Sequence, residues 1–170
     1  VVDMHREVIE HKKFIPEEEL HGLKLTAGRD QGRIYRVRPA NAPPRPNMRL
    51  DKLDATALAA AIDSPNGPQR DWIQQTLVQR GAKEAVPQLV EIFRKSSRPA
   101  ARLQALCTLD GLHALDDKLV LAALGDADPA VRRHAIRLSE PFLASDSKVL
   151  NGVLKLVDDA DSQVQLQLAY

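Results

Sequence analysis

The chain has 170 residues, of which 44% are hydrophobic and 4% aromatic, and its formal net charge is +1. This composition is typical of a globular protein of one or two domains, and it excludes a chain that is disordered throughout. No apolar run approaches the roughly 20 residues that a membrane-spanning helix needs, and no signal peptide is recognisable. Residues 1–49 carry a net charge of +3 and residues 50–170 a net charge of −2, which argues against nucleic-acid binding by the second part.

Short elements are predicted near the N-terminus. Apolar residues at helical spacing predict an amphipathic helix over Val1–His11, and Pro16 followed by three glutamates predicts a second helical turn. Polar and apolar residues alternate over Arg33–Val37, as in a half-buried strand, and no second strand is predicted. A lone strand leaves backbone groups unpaired, and the first residue is Val1 rather than Met. We therefore expect a piece of a longer protein, whose remaining part supplies the partner strands.

A proline-rich connector is predicted next. Four prolines lie between residues 39 and 46, where they remove backbone donors and favour an extended path. We therefore divide the chain into a remnant of a preceding domain over residues 1–38, a linker over residues 39–49, and a helical region over residues 50–170.

The helical region contains a repeat. The string Asp126–Arg132 returns in weaker form as Asp159–Gln165, 33 residues later, and two kinds of helix alternate around it. The first kind, the A helices, is predicted at residues 50–63, 83–95, 114–124 and 147–157. The second kind, the B helices, is predicted to begin at Pro68, Pro99, Pro129 and Ser162, because proline suits the first turn of a helix.

Helix ends are marked by their own residues. Gly67 and Asp128 are the predicted caps of two B helices, and glycines are predicted to end helices in the left-handed conformation. These glycines are Gly81, Gly111 and Gly125. The start signals, the stop signals and the periodicity agree, so we expect an all-α fold, a right-handed α-α superhelix in which each helix pair packs on its neighbours.

The last repeat is expected to be truncated, because Tyr170 falls inside the last B helix. Its apolar face, with Val164, Leu166 and Leu168, is expected to need a cover, since terminal repeats normally carry a polar outer face. We therefore expect a homodimer through this end of the chain.

The string from Asp126 to Ala135 resembles the short bacterial type of HEAT repeat, with its pattern Asp-x-Asp-Pro-x-Val-Arg-x-x-Ala. A second resemblance covers the N-terminal strings Val1–His11 and Gly28–Val37. They are similar to the end of a β-propeller in a family of large bacterial membrane-bound dehydrogenases, which join a sorbosone/glucose-dehydrogenase-like propeller, HEAT repeats and a haem-binding c-type cytochrome. This resemblance implies that Gly32–Val37 is a closing strand of a propeller, and that the parent protein is a periplasmic or extracytoplasmic oxidoreductase.

Few residues point to chemistry. The sequence has no haem-binding motif, phosphate-binding loop, nucleophile elbow or paired catalytic carboxylates, so we expect no catalytic residues and no cofactor in this chain. His5 and His11 are six residues apart and would lie on different faces of a helix, so we expect no metal site. Cys107 is the single cysteine and is interpreted as a core residue.

The arginines of the B helices have two interpretations. Arg102 and Arg132 hold the same position in successive B helices, with Asp71 and Gln165 at the equivalent positions. The favoured interpretation is a structural ladder of Asp128, Arg102 and Arg132, in which each guanidinium bonds turn carbonyls or an aspartate of a neighbouring repeat. The alternative is a binding stripe along a groove. The better candidates for an interaction surface, unless they are merely solvated, are Arg98, Arg133 and Arg137.

The favoured function is a non-catalytic scaffold that acts as a spacer in the parent protein or docks a partner protein, with no nucleic acid and no membrane contact. The alternative is an enzyme of HEAT-like fold. Trp72 beside Asp71 invites comparison with alkylpurine DNA glycosylases, and the short repeats invite comparison with phycobilin lyases. The helical region has only four aromatic residues and an acidic balance, which disfavours the glycosylase. Trp72 is instead expected to pack between the linker and the first repeat.

Overall fold

The computed structural model describes residues 1–5, 8, 11–35, 37, 39–41 and 48–170. Over these residues the fold is all-α, as predicted, apart from one small two-stranded sheet. The chain forms two compact units, Val1–Asn47 and Met48–Tyr170. No helix in the described part of the chain has the length and apolar character to cross a membrane. Most of the predicted linker, residues 42–47, lies outside the described residues.

The N-terminal unit contains the sheet. Strand β1, Val2–Asp3, pairs antiparallel with strand β2, Arg33–Ile34, with Val2 opposite Ile34. The N-terminal ammonium group of Val1 donates to the carbonyl of Tyr35 at 2.8 Å, which extends the pairing. The prediction that the strand near residue 33 finds no partner in this chain is therefore wrong. The partner strand, β1, lies where a helix was expected. It was missed because backbone pairing over a long sequence separation leaves no local pattern in the sequence.

The rest of this unit is irregular. The predicted amphipathic helix is wrong at Val2–Asp3, and part of its remainder, residues 6, 7, 9 and 10, lies outside the described residues. The helical turn predicted after Pro16 is confirmed as α1, Glu17–Leu20, which follows a short 3-10 turn at Lys12–Phe14. Gly28 has φ +75°, and a Cβ there would overlap the carbonyl oxygen of His5, so only glycine fits this close approach.

The second unit consists of paired helices, and the predicted alternation is confirmed. The A helices are α2, Ala55–Ala60; α4, Val86–Lys95; α6, Asp117–Leu124; and α8, Ser147–Leu154. The B helices are α3, Gly67–Arg80; α5, Pro99–Gly111; α7, Pro129–Ser139; and α9, Ser162–Ala169. Short 3-10 turns lie at Leu50–Lys52, Lys83–Ala85, Glu140–Phe142 and Lys155–Asp158.

The helices stack in two layers. In the B layer, α3 packs on α5, α5 on α7, and α7 on α9, while in the A layer α2 packs on α4 and α6 on α8. The buried residues between the layers form one continuous core that runs from Ala55 to Val164. At about 25 cal/mol for each Å² of apolar surface removed from water, this shared interior is the main stabilising contribution. Each helix pair therefore depends on its neighbours.

Capping chemistry explains where the B helices begin. The side chains of Asn66, Asp128 and Asp161 each accept a hydrogen bond from a backbone N–H in the first turn that follows. The cap of α3 is Asn66, not the predicted Gly67. Arg98 precedes α5 without a side-chain cap, and Pro99 supplies the preset backbone angle at that start.

The predicted glycine stops are only partly correct. Gly81 ends α3 at φ +58°, as predicted. Gly111 is the last residue of α5 and Gly125 follows α6, so both lie at helix ends as predicted, but neither is left-handed. Gly125 has φ −98°, and the left-handed residue after α5 is His113. Gly111 is needed for another reason: a Cβ there would lie 2.8 Å from Cγ2 of Val78, so its lack of a side chain lets α5 approach α3.

The apolar residues at the C-terminal end lie differently from the prediction. Val164 is fully buried and Leu168 packs partly against the core, so neither belongs to an open face. The exposed apolar side chains there are Leu166 of α9 and Leu150, Leu154 and Val157 of α8 and the turn after it. The expected homodimer stays a prediction, with these residues as the contacts to examine.

Candidate functional site

Arg102 joins two successive helix pairs. Its Nε and Nη2 donate to the two carboxylate oxygens of Asp126 at 2.8 and 2.6 Å, and its Nη1 donates to the carbonyl of Ser96 at 3.0 Å. The planar guanidinium thus contacts the loop before its own helix α5, through Ser96, and the loop of the next helix pair, through Asp126. The two side chains are only 14% and 9% exposed.

Arg132 repeats this arrangement one helix pair later. Its Nε and Nη2 both donate to Asp159 at 2.7 Å, and its Nη1 reaches the carbonyls of Asp126 and Ala127 at 2.9 and 3.1 Å. In α9, Gln165 takes the equivalent position and donates to the carbonyl of Asp159 at 2.8 Å. We call this series of side chain and loop contacts, made by Arg102–Asp126, Arg132–Asp159 and Gln165, the ladder.

The ladder explains the repeated Asp-x-Asp-Pro string. The first aspartate, Asp126 or Asp159, accepts the arginine of the preceding pair and the backbone N–H two residues on, at 2.8 and 2.9 Å. The second, Asp128 or Asp161, caps the B helix. Asp128 was predicted to belong to the ladder, but its carboxylate accepts from the N–H of Ala130 at 2.9 Å and makes no hydrogen bond to a ladder arginine. The position of Asp128 directly before Pro129 signals its role as a cap, whereas the sequence carries no signal that Asp126 faces the guanidinium of Arg102.

The first B helix, α3, makes only part of the ladder contact. Arg70, not Asp71, holds the position equivalent to Arg102, because its Nη1 donates to the carbonyl of Ser64, six residues earlier, at 2.7 Å. Ser96 stands where later repeats have Asp126 and Asp159. The Nε of Arg70 is buried and has no hydrogen-bond partner among the described residues.

The ladder also sets the charge states of its carboxylates. Burial alone would raise the pKa of Asp126, but hydrogen bonds from Arg102 and from the N–H of Asp128 hold that pKa below its ordinary value. The hydrogen bond from Arg132 lowers the pKa of Asp159, and the N–H of Asp161 adds to the effect. The carboxylates therefore stay ionised at neutral pH, and the ladder arginines are not available to a ligand.

An open cavity runs along the B helices. Its volume is about 470 Å³, and we call it the groove. Its lining comes from α3, α5 and α7: Asp71, Gln74, Gln75, Val78, Cys107, Asp110, Gly111 and Arg137. The amide of Gln104 donates to that of Gln74 and so links the first two of these helices. Burial raises the pKa of the Cys107 thiol although Arg137 lies beside it, which makes the thiol a poor nucleophile at neutral pH.

A second cavity continues from Arg137 toward the C-terminus. Its volume is about 220 Å³, and we call it the cationic pocket. Helices α7 and α9 and the residue after them supply its lining: Arg133, His134, Arg137, Gln163, Leu166, Gln167 and Tyr170. Burial, together with the neighbouring Arg133 and Arg137, lowers the pKa of His134, so this imidazole is neutral at pH 7. The positive charge of the pocket therefore comes from the two arginines.

The three predicted surface arginines divide into two groups. Arg98 lies at the start of α5 and pairs with Asp63 at 3.3 Å. Arg133 and Arg137 occur in none of the ion pairs among the described residues, and both point into the cationic pocket. The structure thus brings Arg133 and Arg137 together and separates Arg98 from them. Asp110 lines the same groove as Arg137 and was not predicted as a groove residue. Asp71 lines it too, and it was named only within the binding-stripe and glycosylase alternatives.

Other sequence candidates are not among the residues that line these cavities. Trp72 is 43% exposed, and the linker that it was expected to contact lies mostly outside the described residues. His11 accepts a hydrogen bond from the N–H of Lys13 at 3.2 Å, in a short cap. No group of three or more His, Cys, Asp or Glu side chains suited to a metal ion occurs in the part of the chain that the structure describes.

A family model described as a domain of unknown function (DUF7133) matches residues 1–41. The match covers the N-terminal unit up to the linker and leaves the helical unit without an assigned family. No curated protein and no solved structure matches the chain.

Proposed function

We propose that residues 48–170 form a HEAT-like, non-catalytic docking module that binds a partner protein along its B helices. The observation that carries this proposal is that the arginines of the B helices fall into two groups, one in the ladder and one on an open surface. Arginines at the ladder position are occupied by structural contacts, whereas Arg133 and Arg137 form no ion pair with any carboxylate of the described residues and line an open surface.

The ladder supports such a role because it makes the surface rigid before any partner arrives. Each paired carboxylate ties the loop of one helix pair to the arginine of the pair before it, across 24 residues for Arg102 and Asp126. A preorganised surface loses little conformational freedom on binding, so more of the interaction energy appears as affinity. The groove spans α3, α5 and α7, which suits an extended segment more than a compact small molecule.

The proposed setting is a larger bacterial oxidoreductase that is exported from the cytoplasm. It rests on the resemblance of Val1–His11 and Gly28–Val37 to the end of a dehydrogenase propeller. In that setting the helical unit would hold the catalytic domain and an electron-accepting cytochrome in fixed relation, or dock a separate partner protein.

Site-specific photo-crosslinking in the organism that makes the protein tests the docking role. A photoreactive amino acid replaces Gln75, which is exposed in the groove, or Glu91, which is exposed on helix α4 of the A layer. We expect a discrete protein adduct from the Gln75 position and none from the matched Glu91 position.

Two results would overturn the docking role. One is the same adduct pattern from both positions, which would show that the groove has no special part in binding. The other is an activity of the isolated chain, either salt-sensitive DNA binding with base release or transfer of a bilin pigment to a protein. Either activity would restore the enzymatic alternatives.

A further inference from the structure

The charges along the groove and the cationic pocket are segregated. The carboxylates of the groove come from α3 and α5, as Asp71 and Asp110, whereas the arginines come from α7: Arg137 lines both cavities and Arg133 lines the cationic pocket. Asp110 and Arg137 line the same cavity without an ion pair between them. Charges of opposite sign that share an open surface but remain apart can each be neutralised by a ligand.

We propose that the occupant is an extended peptide segment of a partner protein, with carboxylates at one end and a basic residue at the other. Its acidic end lies over Arg133 and Arg137, and its basic end lies toward Asp110 and Asp71. This inference rests on the docking role proposed above and adds the chemistry and the direction of the bound segment.

The geometry of the arginines favours carboxylates. A guanidinium binds a carboxylate through two parallel hydrogen bonds, and neighbouring arginines can hold two acidic side chains. Gln163 and Gln167 of α9 line the same pocket and offer amide donors, while Tyr170, which is 93% exposed, offers an aromatic face. His134 contributes no charge at pH 7, so binding depends on the arginines.

The spacing of the helices sets the length of the segment. Packed helices lie about 8–10 Å apart, so the path from α3 to α7 across α5 covers about 20 Å. An extended chain advances about 3.3 Å per residue and crosses this distance in about six residues. The acidic and basic residues of the segment should therefore be about three to six positions apart.

A nucleic acid fits the surface less well. A phosphate backbone needs many cations along its path, and the groove and the cationic pocket together offer two arginines followed by two carboxylates. The net charge of −2 over residues 50–170 adds to the repulsion.

Selection from a displayed library of random peptides tests the proposal on the complete chain. We expect enriched peptides with an acidic cluster and a basic residue at the spacing given above. A selected peptide, labelled for fluorescence anisotropy, should bind the Arg133→Gln/Arg137→Gln double variant at least about tenfold more weakly than the wild type. The matched control is Arg94→Gln, which removes an exposed arginine of the A layer, and it should leave binding unchanged.

Charge reversal provides a gain-of-function control. The Arg133→Glu/Arg137→Glu variant should select basic peptides in place of acidic ones, provided that its circular dichroism matches that of the wild type. Both positions are outside the ladder and the core, so we expect the variant to fold.

Three outcomes would overturn the inference: no enrichment of segregated charge, binding that survives the double variant, or competition by duplex DNA stronger than that by the selected peptide. If the Gln75 position still yields a protein adduct in any of these cases, the docking role stands and only the assigned chemistry fails. Loss of the adduct together with loss of peptide binding would remove both proposals.

Discussion

The Arg102–Asp126 contact can be tested with a nearly isosteric change, Asp126→Asn. The oxygen that accepts from the N–H of Asp128 and from Nη2 of Arg102 can remain in place. The second oxygen, which accepts from Nε of Arg102 at 2.8 Å, becomes an amide donor facing a donor. The variant therefore removes the ion pair and one hydrogen bond while keeping the turn.

The expected cost follows from the burial of this pair. Hydrogen bonds to charged groups contribute about 1.5–3 kcal/mol, and the side chains here are 14% and 9% exposed, so solvent screening is slight. We expect a loss of about 2 kcal/mol in the free energy of unfolding at pH 7, or a melting temperature lower by about 8 °C. Thermal and urea unfolding, followed by circular dichroism, measure both quantities.

The pH dependence separates the charge from the shape of the side chain. Because the folded pKa of Asp126 is lowered, its contribution is complete above the ordinary carboxyl pKa of about 4 and is lost as the pH falls through the folded value. The gap in unfolding free energy between wild type and Asp126→Asn should therefore be constant from pH 7 to about pH 5 and narrow below about pH 4. The pH-dependent contribution of Asp159 is present in both proteins, so it cancels in the difference between their unfolding free energies.

Asp128→Asn is the matched control two residues away. Asparagine caps helices as well as aspartate does, and Asp128 makes no hydrogen bond to a ladder arginine, so its change should stay within about 0.5 kcal/mol. The ladder would be refuted as a source of stability by either of two results. The loss in unfolding free energy for Asp126→Asn could equal that for Asp128→Asn, or it could stay constant as the pH falls to 3.

Two further predictions concern contacts between α3 and its neighbours. Gly111→Ala should destabilise the helical unit by about 1–3 kcal/mol in urea unfolding, because the new Cβ meets Val78, although alanine is the better helix former. The same change in a Val78→Ala background should be neutral or stabilising. Equal effects in both backgrounds would contradict the steric explanation. Ser96→Asp in an Asp63→Asn background should raise the melting temperature above that of Asp63→Asn alone. It offers a carboxylate, without repulsion from Asp63, to the Nε of Arg70, which has no hydrogen-bond partner among the described residues. An unchanged or lower melting temperature would show that the ladder cannot be extended to Arg70.

The helical unit could be predicted closely from the sequence, whereas the N-terminal unit could be predicted only at the turn after Pro16 and at the strand that begins at Arg33. The starts of α5, α7 and α9 coincide with the predictions at Pro99, Pro129 and Ser162, because proline and capping side chains act within one turn of a helix. The pairing of Val2 with Ile34 was missed, since strand β1 has only two residues and is too short to show an alternating pattern.

The candidate site was predicted in part. The positions of Arg102 and Arg132 in the repeat indicated a ladder, and Arg133 and Arg137 were singled out as exposed candidates. Asp128 was assigned to the ladder incorrectly, because spacing in the sequence does not tell which loop carboxylate faces the guanidinium. The groove was missed at Asp110, and Asp71 was named only within the alternatives that were not favoured, because the lining residues come from different helices.

The order and type of the helices were determined by the sequence alone, because periodicity, proline and caps act over a few neighbouring residues. Only the tertiary structure decided which carboxylate meets which arginine and which charges remain free. Those contacts join residues 24 and 27 positions apart, and they depend on how closely the B helices approach, which is governed by side-chain packing such as that of Gly111 against Val78.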